Sequence, residues 1–352
     1  MFADNNRISW LQMRCQFLLA ALGVGLLWGI PGFTGREGAV GILIGGALLA
    51  CWSGILRRQM TVFRDPIRYF GKTCAWLLAG IWESYLVLTG GWLVAKVGHL
   101  AGEYLVSGVP ETMLSLAFVF AALGDSHHVQ ARGRLAQTSW AIVAWLGGIL
   151  LLLAGKPLGT VMGGQQPEPA AFEWMLSVKN AGKYVAYGSG IGLIAWLMVQ
   201  VRTGKEEKKK EGLALGQLSL WFLAGALLLT ANFGTDAPNM DTCPILEVMA
   251  GVEIPGGFLR RVDLIFLSIL LFSLTFLLGS IFFYSSYVAE RVSVTISRIP
   301  AAILCLIFGT VGETQWAWSR YYPELLWKIY LPLFLVITVC AGWARRRSYG
   351  ER

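Results

Sequence analysis

Ten separate apolar runs, each close to the length that crosses a bilayer, constrain this chain more than any other feature of its sequence. A helix that spans the hydrocarbon core needs about 20 mostly apolar residues. The runs cover residues 10–34, 38–56, 73–97, 110–124, 137–155, 182–201, 214–231, 262–288, 299–314 and 327–344. They predict an all-α polytopic membrane protein with about ten transmembrane helices.

The composition excludes a water-soluble globule. Hydrophobic residues make up 55% of the 352 residues, and charged residues make up only 14%. An average soluble domain is about 25% charged. Too few charged side chains are therefore present to cover the surface of a soluble fold.

The positive charge is concentrated on one side of the predicted topology. The formal net charge is +8, and the clearest basic clusters are Arg57-Arg58, Lys208–Lys210 and Arg345–Arg347. All three clusters become cytoplasmic when the amino terminus is placed inside, as the positive-inside rule expects. We therefore predict a multi-pass protein of the cell (inner) membrane with both termini in the cytoplasm. Anionic lipid of the bilayer is the expected partner of this charge, and nucleic acid is not.

Two of the predicted outer loops are long, at about 156–181 and 232–261. In the second, proline and glycine residues bracket a short amphipathic stretch that begins at Pro244. This pattern predicts a small helix over the outer mouth of the protein.

Glycine clusters interrupt two of the apolar runs at matching positions. The first run contains Gly23-Val24-Gly25, and the sixth contains Gly188-Ser189-Gly190. Interrupted helices at corresponding places in two halves indicate the binding site of an inverted-repeat transporter fold. We therefore predict a single membrane domain made of two antiparallel five-helix repeats, 1–160 and 161–352, with broken first and sixth helices. The alternative is that the small residues only let helices pack closely.

The two interruptions define the candidate binding residues. Backbone N–H groups that an interrupted helix leaves free suit a carboxylate, and freed carbonyl groups suit a cation. The expected substrate-binding residues are Gly23, Val24, Gly25, Leu26, Tyr187, Gly188, Ser189 and Gly190.

Glu83 is a carboxylate about ten residues into the third run. A charge near mid-membrane is costly, so it is expected to face a cavity or a partner, where it could bind a proton or cation. Ser273 and Thr275 in the eighth run are further candidates for ion or proton coupling, and Ser285-Ser286 near its inner end could also supply oxygen ligands. A structural hydrogen bond to a neighbouring helix is the alternative for each of them.

Several short motifs resemble the spore germination permeases, which are the B subunits of nutrient germinant receptors. The motifs are Ile8–Gln12 followed by GVGLLWGIP, Val109-Pro110-Glu111, ARGRLA at 131–136 and VEIPGGFLRRVDLIFL at 252–267. The family belongs to the amino acid–polyamine–organocation transporter superfamily. The fifth run lacks the lysine that several proton-coupled members of that superfamily carry.

The resemblance implies a germinant-receptor subunit that binds a small nutrient, an amino acid, and couples binding to germination signalling or ion release. It also implies two partner subunits, a larger membrane subunit and a lipoprotein, and the spore inner membrane as location. A stand-alone secondary amino acid transporter is the alternative. A membrane enzyme that uses His127 and His128 would need a further ligand or nucleophile, and no other His or Cys lies near them in the sequence. Asp125 and Ser126 precede them directly, but members of a catalytic triad converge from separate parts of a fold. We therefore expect no catalytic residue, metal or cofactor.

Overall fold

A computed structural model of the chain is helical wherever it has regular structure. It describes residues 7–106, 108–124, 128–155, 172–188, 191–201, 211–234, 237, 240, 243–252, 261–294, 297–310 and 321–350. Within these ranges, seven helices are long and apolar enough to cross a membrane. The predicted all-α polytopic membrane class is therefore confirmed.

The first half of the described chain contains six α-helices. They are α1 (Trp10–Val24), α2 (Gly35–Arg58), α3 (Met60–Arg64), α4 (Pro66–Tyr104), α5 (Glu111–Leu123) and α6 (Val129–Ala154). The first apolar helix does not end with α1. It continues through a π-helical turn, Gly25–Gly29, and a 3-10 turn, Ile30–Phe33.

The second half contains seven α-helices in its described part. They are α7 (Trp174–Gly188), α8 (Ile191–Val199), α9 (Glu211–Phe233), α10 (Pro244–Ala250), α11 (Val262–Arg291), α12 (Arg298–Thr310) and α13 (Leu331–Gly350). A π-helical turn, Leu326–Tyr330, precedes α13 within the last apolar helix, Tyr321–Arg347.

All ten apolar runs of the sequence fall on these helices. We number the spans in chain order: α1 with its extension, α2, α4, α5, α6, α7 with α8, α9, α11, α12, and the last apolar helix. The fourth and ninth spans are the short ones, as their short apolar runs predict.

Arginine contacts identify one end of the bundle. Arg64 of α3 donates to the carbonyl of Val199 at the end of the sixth span, and Arg291 at the end of the eighth donates to the carbonyl of Arg64. Arg345 near the end of the tenth span donates to the carbonyl of Arg58 at the end of the second. We call this the basic end. It is the end that the positive-inside rule assigns to the cytoplasm.

Helix pairs occur in the matched sets that a five-helix inverted repeat predicts. The third span packs against the ninth as the eighth packs against the fourth. The first span packs against the fifth, and correspondingly the sixth span packs against the tenth. The second span packs against the sixth, and correspondingly the seventh span packs against the first. Each pair becomes its counterpart when span n is exchanged with span n+5. Short helices also follow the second and seventh spans, namely α3 and α10.

The sixth span begins earlier than the sequence predicted. The loop expected over 156–181 is wrong in its last part, because α7 starts at Trp174. The reason is that polar residues, Ser177, Lys179 and Asn180, precede residue 182 in the sequence, although α7 packs on the second span over this length. The backbones of α7 and α2 are very close there, because the Cβ of an alanine at Gly45 would lie 2.7 Å from the carbonyl oxygen of Ala181.

The short helix predicted in the second long loop is confirmed as α10. Pro at its first position begins the helix, because proline has the helical φ and needs no hydrogen-bond acceptor there. It packs against the π-helical turn of the first span, where the Cys243 thiol lies 3.5 Å from the carbonyl oxygen of Leu27. α10 therefore covers the interrupted part of the first span at the end opposite the basic end.

Large apolar side chains form the exposed surface of the spans. Trp145 and Leu152 of the fifth span are 75% and 80% exposed, and Val339 of the tenth is 72% exposed. Exposed apolar surface of this extent on transmembrane helices faces lipid.

Candidate functional site

A small, partly open cavity of about 50 Å³ lies between spans at the centre of the bundle. The first, third, sixth, eighth and tenth spans each contribute to its wall. Aliphatic side chains make up most of the lining, together with five aromatic side chains: Phe17, Tyr85, Trp92, Tyr187 and Tyr322. This volume exceeds the roughly 10–15 Å³ that a cavity needs to hold one water molecule, so the space suits a small ligand.

The sixth span lines this cavity from both of its described helices. α7 is described to Gly188 and α8 from Ile191, while Ser189 and Gly190 lie outside the described residues. Ala186 and Tyr187 line the cavity from α7, and Leu193 and Leu197 line it from α8. The predicted interruption at Ser189-Gly190 therefore lies outside the described residues, between two segments that both reach the cavity.

The first span departs from α-helical geometry at its glycine cluster, but it does not unwind there. Gly25 and Ile30 keep right-handed helical angles, and the Ile30 N–H donates to the carbonyl of Gly25 in a π-helical turn. A π turn is a local widening of the helix that occurs often at functional sites. The irregularity is thus where the sequence predicts it, in a milder form than an unwound segment.

Of the four first-span residues predicted to bind ligand, Val24 lines the cavity. Gly23 faces the eighth span, where its N–H donates to the Ser273 hydroxyl at 2.9 Å. Gly25 lies against the ring of Phe222 in the seventh span. Leu26 also faces that span, at Gly225. Successive helical residues are rotated by about 100°, so four in a row cannot share one face.

The sequence reading missed the first-span residues that accompany Val24. Phe17, Ala20 and Ala21 line the cavity with it. Their spacing is i, i+3, i+4 and i+7, which is one face of an α-helix. The spacing of these four residues is present in the sequence. Residues 17–24 are all apolar, however, so the sequence does not distinguish the helix face that lines the cavity from the other faces.

Tyr187 of the sixth span lines the cavity, next to Gly188 at the end of α7. Gly188 belongs to the described helix, and Ser189 and Gly190 follow it outside the described part of the chain. The binding role of all four residues stays a prediction.

The third and tenth spans provide polar groups that the sequence reading also missed. The Tyr322 hydroxyl donates to the Thr89 hydroxyl at 2.6 Å, and the Tyr322 ring stacks on Trp92 with centroids 5.0 Å apart. Trp92 is only 2% exposed, and its indole N–H has no acceptor among the described residues. A buried donor without a partner costs about 1–3 kcal/mol, which a ligand or water acceptor would recover. A tryptophan in mid-span rather than at the membrane interface is the sequence signal for this position.

An aromatic cluster closes the cavity toward the basic end. Trp82 packs edge-on against Phe63 and Trp196, with ring centroids 5.7 Å and 5.6 Å away. Phe334 lies 4.8 Å from Trp82 and 5.2 Å from Tyr85, which itself lines the cavity. These rings come from α3 and from the third, sixth and tenth spans, so they connect the elements around the cavity at one level of the bundle.

Glu83 lies on the basic-end side of the cavity, at the contact between the third and eighth spans. One carboxylate oxygen, Oε2, accepts a hydrogen bond from the Ser285 hydroxyl at 2.7 Å. The other, Oε1, is buried and has no donor among the described residues. The arrangement combines both readings of the sequence, because one oxygen makes a structural hydrogen bond and the other is available to a proton or cation.

Ser273 and Thr275 do not join Glu83. The Ser273 hydroxyl donates to the carbonyl of Leu19 and accepts from Gly23, which fixes the first span to the eighth. Thr275 donates to the carbonyl of Leu271 in its own helix. Both lie ten or more residues from Ser285 in the same helix, a separation of roughly 15 Å or more. Ser285 is therefore the eighth-span residue that contacts Glu83.

The histidine pair is not part of a described metal cluster. His128 precedes α6 as its N-cap residue, and Asp125, Ser126 and His127 lie outside the described residues. In the part of the chain that the structure describes, no three His, Cys, Asp or Glu side chains are grouped as metal ligands would be.

Comparison with known proteins adds no family assignment. No protein-family model matches the chain, and no curated protein matches it.

Proposed function

We propose that this chain is a membrane protein that binds a small nutrient, an amino acid, in the central cavity. The observation that carries the proposal is the position of the cavity among five spans, with lining residues on both sides of Ser189-Gly190 in the sixth span. In inverted-repeat transporter folds, substrate binds near the bilayer midplane beside interrupted helices.

The chemistry of the cavity favours a ligand without net charge. No charged side chain is among its described lining residues, so a zwitterion would rely on helix ends for its two charges. The N–H end of α8 suits the carboxylate and the carbonyl end of α7 suits the ammonium group. The Trp92 indole N–H offers one further donor. With a volume of about 50 Å³, the cavity favours the smallest amino acids.

The resemblance to spore germination permeases supplies the biological setting of the proposal. In that setting the chain is the nutrient-binding subunit of a germinant receptor in the spore inner membrane, with the basic end in the cytoplasm. Ligand binding is coupled to germination signalling or ion release. The partners are a larger membrane subunit and a lipoprotein.

A stand-alone secondary amino acid transporter is the second candidate, and Glu83 favours it. A buried carboxylate oxygen with no donor is a group that can take up and release a proton or cation during transport. Uptake of labelled amino acid by proteoliposomes separates the two candidates. Binding without net uptake supports the receptor, and uptake supports the transporter.

The binding proposal is tested by thermal unfolding of the purified protein in lipid nanodiscs with each common amino acid. A ligand at ten times its dissociation constant stabilises the native state by about 1.4 kcal/mol. We expect a small neutral amino acid to raise the unfolding temperature, and Trp92→Phe to reduce that shift. Trp140→Phe is the matched control, because Trp140 is equally buried but packs on Trp221 away from the cavity. If no amino acid stabilises the protein, or if both variants reduce the shift equally, the proposal is wrong.

A further inference from the structure

A second and much larger cavity, of about 870 Å³, opens at the basic end. Four arginines line it, and they come from different elements: Arg7 precedes α1, Arg64 ends α3, Arg291 ends the eighth span and Arg298 begins the ninth. We call this the basic-end cavity. It is separate from the central cavity and shares no lining residue with it.

Arginines outnumber acidic residues among the described residues that line the basic-end cavity. Glu290 is the one acidic residue among its described lining residues, against the four arginines. The acceptors that the structure gives to Arg64 and Arg291 are neutral, namely the carbonyls of Val199 and Arg64 and the hydroxyl of Tyr287.

Arg64 experiences the repulsion directly. Burial lowers the pKa of its guanidinium, and the positive charges of Arg7 and Arg291 lower it further. The positive-inside rule accounts for arginines on this face of the membrane, but it does not account for their convergence on one cavity.

Gln200 provides an independent observation that also indicates an acceptor. Its side chain is only 3% exposed and lines the same cavity. The amide oxygen accepts from the Tyr284 hydroxyl at 3.0 Å, and the amide Nε2 is buried with no acceptor among the described residues. Buried amide N–H groups normally have a hydrogen-bond acceptor. An unpaired amide N–H in a cavity lined by guanidinium groups therefore indicates a ligand that carries oxygen acceptors.

We propose that the basic-end cavity binds a phosphate-bearing anion. Guanidinium groups match phosphate because their planar N–H donors bond two oxygens at once, and a phosphate group has enough oxygens for several partners. The anion would lie among Arg7, Arg64, Arg291 and Arg298 and accept from Gln200. It would connect the segment before the first span to α3 and to the eighth and ninth spans.

Two sources offer this chemistry, a soluble phosphate compound and a phospholipid headgroup. The cavity wall includes Ile299 of the ninth span, which is 58% exposed on the apolar surface of the bundle. A lipid headgroup could therefore reach the arginines from the bilayer, as basic pockets between helices on the cytoplasmic side do. A soluble phosphate would enter from the aqueous side.

The test uses the whole chain in nanodiscs of zwitterionic phosphatidylcholine, titrated with pyrophosphate at constant ionic strength and followed by calorimetry. A second arm measures retention of phosphatidylglycerol against phosphatidylcholine by native mass spectrometry. Saturable binding in the first arm supports a soluble anion, and preferential retention in the second arm alone supports a lipid headgroup.

Arg7→Gln is the first variant, because Arg7 is exposed and makes no hydrogen bond or ion pair among the described residues, so its loss leaves the fold intact. We expect binding in the responsive arm to weaken about tenfold, the size expected for one lost charge-assisted contact. Arg298→Gln is the second variant, and the same direction is expected. Arg134→Gln is the control, since Arg134 is exposed near the start of the fifth span, outside the cavity, and its loss should leave binding unchanged.

Binding in neither arm would overturn the proposal. So would an Arg134→Gln variant that weakens binding as much as Arg7→Gln does, because a general attraction to the basic face would then explain the data. These results are independent of amino acid binding in the central cavity.

Discussion

Replacing Gly25 by alanine tests whether this glycine serves packing or ligand binding. The Cβ of an alanine at this position would overlap the ring of Phe222. That ring is fully buried and packs edge-on against Tyr184, with centroids 5.2 Å apart, so it has little room to move. Overpacking of this kind costs about 1–3 kcal/mol.

The helical preference of alanine opposes that cost. Alanine is favoured over glycine in a helix interior by about 1 kcal/mol. We therefore expect Gly25→Ala to lower the stability by up to about 2 kcal/mol. Gly54→Ala is the matched control, because no atom lies within 4 Å of the Cβ that it adds in the second span. That variant should be as stable as the parent or more stable.

A double-mutant cycle separates the overlap from other effects. Phe222→Leu shortens the side chain that the new methyl group meets, so Gly25→Ala should be tolerated in the Phe222→Leu background. The coupling between the two changes is expected to exceed about 0.5 kcal/mol, the value at which contacting residues depart from additivity. Thermal unfolding in nanodiscs, followed by tryptophan fluorescence, measures all four proteins.

Ligand binding by the double variant decides the role of Gly25. Because Gly25 faces the seventh span rather than the central cavity, we expect the stable double variant to bind the amino acid like Phe222→Leu alone. If Gly25→Ala is equally harmful in both backgrounds, the packing argument is refuted. If the double variant is stable but does not bind, Gly25 belongs to the binding site, as the sequence predicted.

Three further predictions follow from other contacts. Glu83→Gln keeps the shape of the side chain but removes its charge, so the protein should still fold while any change in ligand response between about pH 5 and 8 disappears. If the variant and the parent have identical pH profiles of ligand response, Glu83 is structural. Gly45→Ala should destabilise the protein, because the new Cβ meets the carbonyl of Ala181 in α7 at 2.7 Å, whereas a stability equal to that of Gly54→Ala would contradict the close packing of α7 on the second span. Reporter fusions should be cytoplasmic at residues 65, 207 and 348 and external at 168 and 240, and a reversed result at any of the cytoplasmic sites would contradict the orientation of the basic end.

The fold was largely predictable because its signal is the length of apolar runs. All ten runs fall on helices in the described part of the chain, and seven of these helices are long and apolar enough to cross a membrane. The proline at 244 correctly predicted α10. The exception was the start of α7, where the polar residues Ser177, Lys179 and Asn180 lower the average hydropathy before residue 182. Ser177 and Asn180 are buried in the bundle, which average hydropathy cannot detect.

The residues that line the central cavity were only partly predictable. The glycine clusters predicted a site at the first and sixth spans, and both spans line the cavity. Which residues next to a glycine face the cavity depends on how the helix is rotated about its axis. The sequence of an apolar helix carries little information about that rotation. The Trp92–Tyr322 stack joins two residues far apart in the sequence, so their contact required the tertiary structure.

The central claim is that a ligand occupies the cavity between the first and sixth spans, and filling that cavity tests it most directly. Ala21 lines the cavity, so Ala21→Val adds two methyl groups to an empty space. Cavity filling commonly stabilises a protein by about 0.5–2 kcal/mol. Thermal unfolding of parent and variant, with and without the amino acid identified by screening, is the measurement. The account predicts an unliganded variant at least as stable as the parent, together with loss of the ligand-induced rise in unfolding temperature. An unliganded variant that is less stable but keeps the full ligand-induced rise would contradict it.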